Sequence, residues 1–153
     1  MKNFLSHFAV CTSIFVRGKG QFGEWFSEWF SEWFRESHYV GFQHILNCYR
    51  HLVPIYGEGE VWCNFVAGLV PLEDIKAGFS FMAAMGVVPG ANIYHPEVGS
   101  VLGRSIPSPD EEFIRSLYCH AGELYHKYGF KPYFDASVLR NSLANEAYEG
   151  LLD

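Results

Sequence analysis

Apolar and polar positions along this chain change period several times, and each period predicts an element. Phe8 to Val16 is a short run rich in β-branched and aromatic residues that stops at Arg17-Gly18-Lys19-Gly20, the pattern of a strand and a turn. From Glu24 to Phe34 the unit Glu-Trp-Phe-Ser recurs. On a helix each copy advances by about 40°, so Trp25, Trp29 and Trp33 form one flank, Phe26, Phe30 and Phe34 the next, and the glutamates a third. Phe42 to Tyr56 places Ile45, Leu46, Tyr49, Leu52 and Val53 on one helical face, and Gly57-Glu58-Gly59 ends it. Glu60 to Gly68 reads as a buried strand. A helix follows from about Pro71 to Met85, with Pro71 at its first position, Glu73 and Asp74 in its first turn and Gly86 as its stop.

Val87-Val88-Pro89-Gly90 leads into a short strand, Ala91 to His95, and a Gly/Pro/Ser-rich loop runs on through Pro107. Ser108 as N-cap, Pro109 at the first helical position and Asp110-Glu111 behind them open a long helix that ends at Gly129. Phe130 to Phe134 reads as one more short strand and Val138 to Leu152 as a final helix. Strands alternating with helices predict an α/β fold built of parallel βα units. Three to four such units make a partial TIM-type (β/α) barrel, about half of a closed one, with the aromatic amphipathic helix as an N-terminal addition. The expected organisation is 1–38 for the first strand and aromatic helix, and 39–153 for the half barrel.

Composition changes this picture little. Apolar residues are 49% of the 153-residue chain and charged ones 18%, enough apolar surface for one packed domain. The net charge of -6 is spread out, which excludes a nucleic-acid footprint. No apolar run reaches membrane-spanning length and no secretory leader is visible, so the expected location is the cytoplasm. The aromatic stripe carries Glu where membrane-surface helices carry Lys and Arg, so a packed or partner-binding role is expected ahead of a lipid one. Cys11, Cys48, Cys63 and Cys119 contain no CxxC pair, and reduced, structural thiols are expected.

Ligands in parallel βα architectures meet the C-terminal ends of the strands. Two segments stand there: Asn64-Phe65-Val66-Ala67-Gly68, closing on a glycine before a helix, and Asn92-Ile93-Tyr94-His95-Pro96-Glu97-Val98-Gly99-Ser100, a strand ending in polar side chains and a glycine-bearing loop. His44, Cys48 and His51 share a helical face with zinc-like spacing, although that face lies away from the apolar centre. Cys119 and His120 are neighbours on a helix and so face different ways. No phosphate loop, Ser-His-Asp order or paired carboxylate motif is visible.

The two strand-end segments and the helix between them resemble the fifth and sixth βα units of radical S-adenosylmethionine (SAM) enzymes of the biotin-synthase-like and thiazole-synthase-like group. There the fifth strand carries GxIxGxxE and the sixth is followed by Pro-x-x-Gly-Thr/Ser; here the counterparts are Val66-Ala67-Gly68 and Pro96-Glu97-Val98-Gly99-Ser100. The resemblance spans about Gly41 to Tyr128 and departs at Asn64, where the family has glycine, and at Pro71, where it has an acidic residue. It implies SAM as cofactor, with Asn64, Val66 and Gly68 near SAM and with Tyr94, His95 and Gly99 facing SAM or an unidentified small-molecule substrate. It also implies a 4Fe-4S cluster on CxxxCxxC, a motif this chain lacks. The expectation is the SAM- and substrate-facing C-terminal portion of such an enzyme, truncated, split or degenerate, inactive unless a complementary N-terminal half barrel supplies the cluster. The rival expectation is a non-catalytic α/β remnant or partner-binding module that uses the Trp/Phe helix.

Overall fold

The computed structural model describes residues 13–16, 42–96, 99, 104–132 and 142–152. Strands β1 (Ser13–Val16), β2 (Val61–Ala67) and β3 (Val87–Ile93) form one sheet in that order. Helix α1 (Phe42–Tyr56) precedes β2, α2 (Leu72–Ala84) links β2 to β3, α3 (Glu111–Tyr128) follows β3, and α4 (Ala144–Tyr148) comes last. The aromatic repeat Glu24 to Phe34, Cys11 and the boundary at 38/39 lie outside the described residues.

Strands β2 and β3 are parallel, from Val61 opposite Val87 to Ala67 opposite Ile93. The β2-α2-β3-α3 stretch is therefore the expected succession of βα units. Strand β1 departs from it and runs antiparallel to β2, with Ser13 opposite Asn64 and Val16 opposite Val61. An antiparallel neighbour needs no crossover across the sheet, which a parallel one would require. The chain is mixed α/β, and its described strands make an open sheet.

Alternation along the strands sorts the sheet into two faces. The Phe65 ring lies 5.2 Å from the Phe79 ring of α2, so Val61, Cys63, Phe65 and Ala67, with Val87 and Ala91 of β3, face the helices, and all six are buried. Helix α1 contributes Leu46 and Tyr49 to the same continuous core, with Ile45, Leu52 and Val53 packed at its margin, as its apolar period predicts. Helices α2 and α3 run parallel. Lys76 Nζ donates to Ser116 Oγ at 2.9 Å, and one turn further along both helices Ser80 Oγ lies 2.9 Å from His120 Nε2.

Four expectations shift. Strand β3 begins at Val87, ahead of Ala91, and so contains Pro89. Tyr94 N donates to Ala67 O at 2.8 Å, which puts the even-numbered backbone groups of β3 toward β2 and Pro89 on the outer edge. There the proline withholds no ladder hydrogen bond. The same outer edge is covered: the Tyr125 hydroxyl donates to Pro89 O and the Tyr118 hydroxyl to Ala91 O, each at 2.6 Å. Helix α3 is capped by Asp110, whose carboxylate accepts from Phe113 N at 2.8 Å, so Ser108 and Pro109 precede the cap. Phe130 to Pro132 is not a strand, because the Phe130 amide donates to Tyr125 O at 2.8 Å and closes the end of α3 behind Gly129. Of the expected Val138–Leu152 helix, Ala144–Tyr148 is helical, and residues 138–141 lie outside the description. Among the described residues no helix is long and apolar enough to cross a membrane.

Candidate functional site

The sheet face turned away from α2 and α3 carries the polar side chains. Asn64 and Val66 alternate on β2, and the register sets Gly90 beside Asn64 and Asn92 beside Val66, with Tyr94 next along the same face. Three of the six residues expected to bind SAM, namely Asn64 in the middle of β2, Val66 near its C-terminal end and Tyr94 just past β3, therefore share a face of the two parallel strands. Asn64 is buried, while Val66, Asn92 and Tyr94 are half-buried. The Asn92 Oδ1 and Tyr94 hydroxyl atoms are shielded from solvent and make no hydrogen bond among the described residues. A shielded carbonyl oxygen and phenol left in that condition are costly, by about 1–3 kcal/mol each.

The other three expected residues sit differently. Gly68 holds φ 105°, and a Cβ built there would fall 2.7 Å from Pro109 Cδ, so the close approach at the end of β2 is made by the residue before the α3 cap. His95 is exposed just past β3. Gly99 is exposed at φ 89° with nothing within 4 Å of its would-be Cβ. The structure thus brings Asn64, Val66 and Tyr94 together, adds Asn92 to them, and leaves Gly68 and His95 at the rim. Asn92 carries a signal that sequence reading missed, since it lies two residues before Tyr94 and period two puts both on one face.

The donor set can be compared with the two groups the family resemblance implies. An adenine or amino-acid ligand needs alternating donors and acceptors beside an apolar wall, and Asn64, Asn92, Tyr94 and Val66 supply that combination. A cluster needs three converging thiolates. Cys48, Cys63 and Cys119 are free thiols on α1, β2 and α3, and no group of three or more His, Cys, Asp or Glu side chains is placed to hold a metal among the described residues. Burial raises the Cys48 thiol above its ordinary pKa, against the smaller lowering effect of a backbone hydrogen bond, which disfavours the thiolate a metal would need. Of the zinc-like trio, Cys48 is half-buried and His51 exposed, and the His44 side chain lies outside the described residues. The described residues do not fit a cluster, and no radical step is assigned to them.

Helices α2 and α3 hold a second polar arrangement that no sequence motif signalled. Beyond the Ser80–His120 contact, His120 Nδ1 lies 3.7 Å from Glu123 Oε2. Cys119 turns elsewhere, its Sγ 3.9 Å from Leu152 O, in keeping with the expectation that neighbouring helical residues do not act as a pair.

Fold and site together define an α/β unit with a helix-covered apolar sheet face and a polar face at the strand ends. No protein-family model, curated protein or solved structure matches the chain.

Proposed function

We propose that this chain is the ligand-facing part of a βα assembly, holding a small polar molecule of the SAM type at the C-terminal ends of β2 and β3, and that it does not run radical chemistry alone. The observation that carries this is the pair of shielded atoms, Asn92 Oδ1 and Tyr94 OH, on one face with Asn64 and Val66. In the part-barrel reading, that face is the barrel interior, and the N-terminal half would join β2 where β1 now lies antiparallel. Titration calorimetry with SAM and, separately, adenosine is the test. Saturable one-to-one binding, weakened roughly tenfold by Asn92→Ala and by Tyr94→Phe, is the expected result. Absence of heat with both compounds, or variants that bind as tightly as the natural chain, rejects the site.

A second reading has its own support. Pro109 fills the space over Gly68, and the tyrosine hydroxyls of α3 occupy the outer edge of β3, where the next strand of a barrel would pair. Both suit a non-catalytic α/β module complete without a further strand on that side. Co-expression with a half barrel bearing CxxxCxxC separates the two readings. Stable co-purification supports the part-enzyme, and a free chain supports the module.

A further inference from the structure

We propose a second chemical site, independent of the sheet face: Ser80, His120 and Glu123 on the seam of α2 and α3 make Ser80 an acceptor for activated acyl esters. Ser80 Oγ lies 2.9 Å from His120 Nε2. His120 Nδ1 lies 3.7 Å from Glu123 Oε2, too far for a hydrogen bond but near enough for the carboxylate to favour electrostatically the tautomer with its proton on Nδ1, which leaves Nε2 as the acceptor for the serine hydroxyl. This is the order of nucleophile, base and orienting acid that activates a serine, here assembled from two helices. A mid-helix serine ordinarily turns its hydroxyl back to the carbonyl one turn earlier or out to water, whereas this one points across the seam. Ser80 is half-buried and the His120 side chain keeps 24% of its surface, so the pair is both desolvated and reachable.

Ser80 Oγ attacks the ester carbonyl carbon as its proton passes to His120 Nε2. The adduct collapses, the bond from carbonyl carbon to leaving oxygen breaks, and that oxygen takes the proton from Nε2. The products are an acylated Ser80 and the free alcohol. Water, deprotonated by the same nitrogen, then releases the acid and restores the serine. The amides in the middle of α2 are engaged in the helix and offer no oxyanion donor. That lack costs roughly 100- to 1000-fold in rate. The site is therefore restricted to donors with good leaving groups, such as aryl esters, and acylation should be slow enough to follow by mass.

The test is the full chain incubated with p-nitrophenyl acetate and read by intact mass and peptide mapping. One acetyl group on Ser80 is expected, absent in Ser80→Ala. His120→Gln keeps an acceptor for the serine hydroxyl, and so the helix contact, but removes the base; it should slow acetylation about 100-fold or more at unchanged circular dichroism. Glu123 is a positioning residue. Glu123→Ala should slow the reaction roughly tenfold and Glu123→Gln, which keeps a side-chain oxygen beside Nδ1, should recover part of it. Ser116→Ala, on the neighbouring Lys76 contact, should react as the natural chain does. Acetyl found on lysines and not on Ser80, or Ser80 acetylated at the natural rate in His120→Gln, overturns the proposal.

Discussion

Gly68 shows how much one missing Cβ can decide. Its φ of 105° is open to glycine and strained for other residues, and the would-be Cβ falls 2.7 Å and 2.9 Å from two atoms of the Pro109 ring. Backbone strain and overpacking each cost about 1–3 kcal/mol, so Gly68→Ala should lose at least about 2 kcal/mol in urea denaturation. Adding Pro109→Ala should restore the packing share and leave the strain share, and a double variant no better than the single would contradict this account. A glycine closing a strand was legible in the amino-acid sequence, but the atom that takes up its space was not. Pro109 lies far along the chain, and only the placement of the segment ahead of α3 over the end of β2 brings them together. Asn92 is the converse case, a residue whose place on the site face follows from period two with Tyr94 alone.

At the scale of elements, helices were read well because their signals are local. The apolar face of α1 and the acidic first turn of α2 sit where spacing put them. Misread boundaries depended on partners remote in sequence: Pro89 inside β3 became acceptable once it lay on an outer edge, and Phe130 ended a helix where its type suggested a strand. Helix α4 adds a contact that spacing alone does not reveal. Gly122 of α3 lies so close under it that a Cβ would stand 2.6 Å from the Ala147 carbonyl oxygen. Gly122→Ala would raise helix propensity by about 1 kcal/mol. A backbone oxygen cannot rotate away as a side chain does, so the clash should outweigh that gain and displace α4. Hydrogen exchange should show Ala144 to Tyr148 losing protection while β2 keeps its own; unchanged protection of α4 would sink this reading.

For the molecule as a whole, the two tyrosines of α3 tie stability to alkaline pH. Burial raises the Tyr118 phenol above the ordinary tyrosine value and raises Tyr125 well above it. The unfolded chain releases these protons near the ordinary value of about 10, and the folded chain holds them longer. Above that pH the unfolded state carries fewer protons, so stability must fall as pH rises, by at most about 1.4 kcal/mol per unit for each tyrosine. Below it these groups add no pH dependence. Urea midpoints should therefore show no phenol-linked change from neutral to about pH 9 and drop beyond about pH 10. Tyr125→Phe should shallow that drop while losing about 1–3 kcal/mol at neutral pH, because the buried Pro89 carbonyl is left without its donor. An equal alkaline drop in the variant would show that other groups cause it. The same two hydroxyls have a bearing on misassembly. A cross-β stack recruits chains through bare strand carbonyls, and on β3 two of these are already engaged. Templating from that side must wait until α3 lifts away, so the rate at which one helix detaches governs how long the chain resists fibril growth there.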